Sequence, residues 1–214
     1  MLVGFAGNCG TGKSTISREV ARHYDGVLVL EDEKANPWFS DFISGRRETA
    51  FQAELCFLSN KLKDIRGANP QRMVVVDRVP AEDVQIFAPY WKDEGLLDPT
   101  DYGLYRQVAD QLLLSIPPFD VVIYLEGPVE FLVRRLRERR GSAFNERVER
   151  MVRNLQPRYE AWEKELPGPV IRLSIEQHDY KGPGWQEDLA KLVDAIERFR
   201  FPLLSGEVEK APVR

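Results

Sequence analysis

The segment Gly7-Asn8-Cys9-Gly10-Thr11-Gly12-Lys13-Ser14 follows directly on an apolar run, Leu2 to Ala6, and leads directly into a stretch of helical period. It satisfies G-x-x-x-x-G-K-[ST] in the strand, loop and helix setting that gives the pattern a mechanism. The glycines let the backbone wrap closely, successive N–H groups and a helix N-terminus face phosphate oxygens, Lys13 adds a mobile positive charge, and the Ser14 hydroxyl reaches Mg²⁺. With Gly near 7% of residues, composition alone would give such a match in roughly one chain of this length in a hundred. The expected nucleotide contacts are Gly7, Asn8, Cys9, Gly10, Thr11, Gly12, Lys13, Ser14 and Thr15, with ATP or another NTP and Mg²⁺ as the bound species.

A phosphate loop requires a particular frame, and the rest of the chain supplies it. Short runs rich in Val, Ile and Leu alternate with longer helical segments, the βαβ pattern of a parallel sheet covered on both faces. Five strands are expected: Leu2 to Ala6, Val27 to Leu30, Met73 to Val76, Val121 to Leu125 and Val170 to Leu173. Phe51, Leu55, Leu58, Leu62 and Ile65 lie on one face of a helix. Further helices are expected at about 130–139, 147–165 and 186–198. The fold class is thus α/β, a five-stranded parallel sheet with helices on both faces. A single domain is expected over 1–201, with a flexible tail over 202–214.

Composition narrows the function. Thirty Lys plus Arg against 34 Asp plus Glu give −4, the wrong sign for a duplex-binding protein that works through bulk charge. Yet Arg134 to Arg158 holds nine Arg and three Glu, a local +6, so an anion is expected there. No apolar run reaches the ~20 residues of a membrane span, and the N-terminal residues do not read as a signal peptide. The expectation is a cytoplasmic protein with neither membrane nor nucleic acid as partner. Cys9 and Cys56 read as reduced small residues.

The other motifs discriminate among phosphate-loop proteins. The nearest approach to a base-reading N-K-x-D, Asn60-Lys61-Leu62-Lys63, lacks the Asp and falls inside the expected helix. Instead, Met73 to Val76 runs into Asp77-Arg78, an acid and a cation at a strand's C-terminal end, placed to hold a metal and clamp a phosphoryl group. Glu31 ends the second strand and would share that crevice, where it could accept a proton from an alcohol. This combination favours a small-molecule kinase.

In these residues the chain resembles the deoxynucleoside kinase family, nearest to the bacterial deoxyadenosine and deoxyguanosine kinases. The matching pieces occur in order: Gly7 to Thr15, Glu31 with Asn36-Pro37, Phe51-Gln52, Asp77-Arg78 with Asp83, Asp101-Tyr102 to Tyr105, Tyr124 to Glu126 with Pro128, Arg135 to Arg139, and Tyr159 to Trp162. The resemblance implies a phosphoryl transfer from ATP to the 5′-hydroxyl of a nucleoside, most often a purine deoxynucleoside, by a homodimer. Glu31 would take the hydroxyl proton. Arg78 would steady the hydroxyl and the incoming phosphoryl, and Asp77 would help Ser14 hold Mg²⁺. Gln52 would read the base edge, Asp83 would set base preference, Phe51 and Phe87 would wall the base slot, and Arg135 and Arg139 would fold over the donor phosphates from a helical lid at about 134–158.

Three departures from the family pattern bear on the substrate. The lid turn reads Arg139-Arg140-Gly141 in place of Arg-Gly-Arg. Ile43 stands where a tyrosine would meet the sugar 3′-hydroxyl, and Phe144 stands where a glutamate would meet the same group, with Glu146 two residues away and Tyr102 as another polar candidate. An apolar site discriminates weakly for a hydroxyl, so an altered or absent 3′-hydroxyl is one expectation. Two further readings remain, a nucleoside monophosphate kinase using Arg46, Arg47 or Arg106, and a nucleotide-sensing module with little turnover.

Overall fold

The computed structural model describes residues 1–176, 182 and 184–200, and the tail expected over 202–214 lies outside the described residues. The five strands are β1 (Leu2–Ala6), β2 (Val27–Val29), β3 (Val74–Val76), β4 (Val121–Glu126) and β5 (Val170–Ser174), all parallel, in the order β2-β3-β1-β4-β5. Each expected strand is present, with no end moved by more than one residue. β1, β3 and the first five residues of β4 are buried throughout, which is why their sequences read as unbroken apolar runs rather than alternations.

Helices cover both faces: α1 (Lys13–His23), α2 (Phe39–Ile43), α3 (Ala50–Gly67), α4 (Pro80–Glu82), α5 (Ala88–Asp93), α6 (Pro99–Leu113), α7 (Val129–Arg140), α8 (Glu146–Trp162) and α9 (Trp185–Arg200). α6 starts at Asp98, whose side chain accepts from the Thr100 N–H, followed by Pro99. α8 starts at Asn145, whose side chain accepts from the Val148 N–H at 3.1 Å. Both are the short polar caps that terminate the preceding chain direction. One core packs α3, α5, α6 and α8 against one sheet face, and a second packs α1, α7 and α9 against the other.

Sequence periodicity gave no signal for α2 or for the segment 80–93. The latter is one continuous helical run with a wide π-helical turn at Asp83–Phe87, where the Ala88 N–H donates to the Asp83 carbonyl five residues back. Pro89 explains it: the ring has no N–H and crowds the carbonyl four residues earlier, so the turn widens. That turn carries Asp83 and Phe87, two expected site residues. The connection out of β1 runs to β2 on one side of it, whereas that out of β3 crosses to β4 on the other, so the strand ends of β1 and its neighbours form the crevice an α/β sheet offers a ligand.

Candidate active site

The phosphate loop fills the turn from β1 to α1. Gly7, Gly10 and Gly12 have φ of 134°, 90° and 99°, and a Cβ on Gly7 would lie 2.3 Å from the Leu125 carbonyl oxygen. Two loop side chains point away from the phosphate side and secure the loop. Asn8 donates to the Val152 carbonyl (2.9 Å) and Gln156 (3.0 Å) of α8, and Thr11 donates to the Asn8 carbonyl at 2.9 Å. Lys13, 6% exposed, donates to the Gly7 and Asn8 carbonyls, and burial followed by the nearby Arg78 lowers its pKa.

A cleft of about 230 Å³ runs over the loop, lined by Lys13, Ser14, Thr15, Asp77, Arg139 and Arg140 among others. Asp77 Oδ1 is buried in the structure without a hydrogen-bond partner. One orphaned carboxylate oxygen and the Ser14 hydroxyl suit Mg²⁺, which keeps waters and takes the rest of its shell from substrate phosphates. Among the described residues no three His, Cys, Asp or Glu are grouped to hold a metal ion.

A second cleft of about 340 Å³, a size that suits a small-molecule ligand, is lined by Glu54, Phe57, Asp83, Phe87, Trp91 and Arg147 among others. The two clefts share Cys9, Glu31, Glu33, Arg78 and Arg140 and therefore meet at Glu31 and Arg78. Glu31 pairs with Arg78 Nε at 3.1 Å and Lys61 Nζ at 3.4 Å. Burial pushes its pKa up, but Arg78, Lys61 and Lys13 together outweigh burial and hold the carboxyl below its ordinary range. Arg78 also meets Glu82 at 3.2 Å and lies 4.4 Å above the Phe87 ring.

Glu82 ties the junction together. Fully buried, it accepts from the Gly7 N–H at 3.2 Å, from the Tyr159 hydroxyl at 2.5 Å and from Arg78. The loop, α8 and Arg78 are thus held by one carboxyl group. Behind Glu31, Lys61 pairs with Asp83 at 2.7 Å, both nearly inaccessible. Burial, then the neighbouring Glu31, push Asp83 up to about 6 in spite of Lys61.

Comparison with known proteins decides what this arrangement belongs to. Residues 3–199 match the family model for deoxynucleoside kinase. The chain belongs to the deoxynucleoside kinase family. It is 28% identical over 200 residues to a Bacillus subtilis deoxyadenosine/deoxycytidine kinase, covering 91% of each chain. It is 24% identical over 148 residues to a B. subtilis deoxyguanosine kinase, covering 69% of this chain and 70% of the relative. The structure of deoxyadenosine kinase from M. mycoides with bound dCTP superposes with a TM-score of 0.74 at 26% identity, covering 91% of this chain and 100% of that one. The chain is a nucleoside kinase, a phosphotransferase acting on a nucleoside hydroxyl, and it binds nucleotide.

In this kinase the expected site residues divide into two groups. The structure brings Glu31, Arg78, Asp83, Phe87 and Ile43 to the acceptor cleft, and Lys13, Ser14, Asp77 and Arg139 to the phosphate cleft. Arg135 donates to the Thr11 carbonyl at 3.4 Å, beside the loop. Arg140 lines both clefts. Gln52, Phe51 and Phe144 do not reach the acceptor cleft. Gln52 is exposed on α3, Phe51 packs on the helical core, and Phe144 packs on the opposite core with Arg137 5.3 Å above its ring. The reason for the α3 shift is rotational: the helix buries Ala50, Ala53, Glu54, Leu58, Lys61, Leu62 and Ile65, so Glu54 and Phe57 occupy the positions expected of Gln52 and Phe51. Of Ile43 and Phe144 only Ile43 lines this cleft, and Asn145 and Arg147 line it where Phe144 was expected.

Sequence reading missed Glu54, Phe57, Lys61, Glu82 and Trp91 as site residues. A signal existed for α3. The series 50, 54, 57, 61, 65 is as regular a helical stripe as the apolar one, but two of its members, Glu54 and Lys61, are ionisable and weigh as surface residues in a sequence.

Proposed function

We propose that the chain transfers the γ-phosphoryl group of ATP to the 5′-hydroxyl of a purine deoxynucleoside, with Mg²⁺. The observation that carries this reading is the sharing of Glu31 and Arg78 by the phosphate cleft and the acceptor cleft. A hydroxyl at that junction has a carboxylate to take its proton, and its oxygen has a guanidinium beside it to hold it against the incoming phosphorus. The new O–P bond forms as the bond from phosphorus to the ADP oxygen breaks, and the hydroxyl proton goes to Glu31. Its depressed pKa keeps Glu31 ionised, so it acts as a base throughout the neutral range. Lys13, Arg135, Arg139 and Arg140 stand where charge spreads over the transferred group and the leaving phosphates. Ser14 and Asp77 would hold Mg²⁺, which when bound neutralises phosphate charge.

α7 and α8 act as a lid in this reading, with Arg147 donating to the Ile43 carbonyl at 2.6 Å across the acceptor cleft. The purine assignment follows the deoxyadenosine and deoxyguanosine kinases among the relatives. Asn145 and Arg147 leave polar groups for an ordinary sugar, so the acceptor need not lack its 3′-hydroxyl. The homodimer that the resemblance implies would use α6, whose Leu104 is 51% exposed, and Leu114 just beyond it, which is 78% exposed. Among the described residues no helix is long and apolar enough to cross a membrane. ADP release with ATP and Mg²⁺, against deoxynucleosides, ribonucleosides and dideoxynucleosides, tests the reading. Turnover that depends on a deoxynucleoside and collapses in Glu31→Gln supports it, whereas acceptor-independent ADP release, or none, overturns it.

A further inference from the structure

Glu54 is a carboxyl group that phosphoryl transfer does not use. It lines the acceptor cleft from α3 and is 4% exposed. The charged groups around it do not balance it. Asp83, from the turn after β3, takes Lys61 at 2.7 Å, and Lys61 also serves Glu31 from the loop after β2 at 3.4 Å. Arg78 is engaged by Glu31 and Glu82. No Lys or Arg among the described residues pairs with Glu54. Trp91 of α5 brings its indole N–H toward Glu54 without a well-formed hydrogen bond, and Tyr105 of α6 lies beside it with its buried hydroxyl unpartnered. Four carboxyl groups (Glu31, Glu54, Glu82 and Asp83) therefore share three buried cations, Lys13, Lys61 and Arg78, and none of the three pairs with Glu54. Burial, then the charges of Asp83 and Glu31, raise the Glu54 pKa well above the ordinary range.

A protonated carboxyl differs from an ionised one in what it can recognise: it presents an O–H donor beside a C=O acceptor, whereas a carboxylate only accepts. Adenine offers the matching pair, the ring N1 acceptor beside the N6 amino donor, and cytosine offers N3 beside its N4 amino group. Guanine offers N–H donors at N1 and N2, which a carboxylate can also receive. Resting on the nucleoside kinase reading above, we propose that Glu54 is the base-reading residue and works in its acid form. Its O–H donates to the ring nitrogen and its carbonyl oxygen accepts from the exocyclic amino group. The cleft accordingly binds amino-bases while Glu54 is protonated and loses them when it ionises. Glu31 then serves the base site as well as the chemistry, and together with Asp83 it keeps a third charge off Glu54.

The test is calorimetric binding of deoxyadenosine and deoxyguanosine to the full chain between about pH 7 and pH 9.5, above the range in which Asp83 titrates. The wild type should lose deoxyadenosine affinity at least tenfold toward alkaline pH, while deoxyguanosine changes by less than about threefold. Glu54→Gln keeps a donor and an acceptor but cannot ionise, so its deoxyadenosine affinity should be flat with pH. Glu54→Leu should bind deoxyadenosine at least tenfold more weakly than wild type at pH 7, with thermal unfolding as the check that it is folded. If Glu54→Leu does not fold, the Glu54→Gln profile decides alone. A flat wild-type profile, a parallel slope in Glu54→Gln, or unimpaired binding by folded Glu54→Leu overturns the assignment. Binding with turnover but no pH dependence overturns only this inference. No binding of any nucleoside by the folded protein overturns the kinase reading and this inference with it.

Discussion

Two tyrosines in the helical core allow a controlled test of how the junction is held. Tyr159 and Tyr105 are both fully inaccessible, and in each the change to Phe removes one oxygen and leaves the ring in place. The Tyr159 hydroxyl donates to Glu82 at 2.5 Å and receives Arg78 Nη1 at 3.4 Å, whereas the Tyr105 hydroxyl is buried without a partner. A hydrogen bond to a charged group contributes about 1.5–3 kcal/mol net, and a buried polar atom without one carries an uncompensated desolvation penalty of about 1–3 kcal/mol. A domain of this size moves by about 2–4 °C in Tm per kcal/mol. Tyr159→Phe should therefore unfold about 3–12 °C below wild type in a calorimetric scan, and Tyr105→Phe at or a few degrees above it. Equal shifts of the same sign would refute the reasoning, because burial rather than hydrogen-bond partnership would then govern the response.

Three further outcomes are expected. Glu31 has a depressed pKa, so turnover should hold through the ordinary carboxylate range and fall only as pH drops through that lower value, while Glu31→Gln should lower kcat by about 10²–10⁴-fold across the profile. A kcat already falling near neutral pH would count against Glu31 as the base. Lys61→Met leaves Asp83 without its cation, a change of about 3–5 kcal/mol at pH 8. Lys61 holds the Asp83 pKa down to about 6 against burial, so without it the carboxyl protonates at higher pH, and the penalty should shrink as pH falls from about 8 toward 6 and level off below that, as read by denaturant unfolding at two pH values. Gly7→Ala would bring Cβ to 2.3 Å from the Leu125 carbonyl at a φ of 134°, so ATP affinity should fall at least about tenfold through loss of the loop's shape. Undiminished ATP binding would show that the loop can relax away from β4.

The frame and the donor side were legible because their signals are local. An apolar run between glycines gives a buried strand whatever surrounds it, and the Gly7–Ser14 spacing carries its own geometry. The acceptor side was less legible because it depends on helix rotation. Phe51, Leu55 and Leu58 form an apolar stripe, yet α3 is turned so that Glu54 and Lys61 face inward, where the ion pair with Asp83 and the junction charges receive them. Periodicity weighs such residues as surface, and only the partners brought by β2 and by the turn after β3 reverse that weighting. Glu82 was hidden for the same reason, since a buried carboxyl is intelligible only with Gly7, Arg78 and Tyr159 around it.

The position of α8 explains why the donor and acceptor sides act together. Its Val152 carbonyl and Gln156 hold Asn8 of the phosphate loop, its Tyr159 holds Glu82 and through it Gly7, and its Arg147 reaches Ile43 on the far side of the acceptor cleft. A displacement of α8 as one rigid body would therefore move the loop backbone and the mouth of the acceptor cleft at once. The Arg147 contact is solvent-facing and worth little by itself, while the Tyr159 and Asn8 contacts are buried. α8 should therefore hinge from its inner, C-terminal half, opening at Arg147 while the loop stays anchored. That is the sense of motion a lid needs if nucleoside is to enter without releasing the nucleotide.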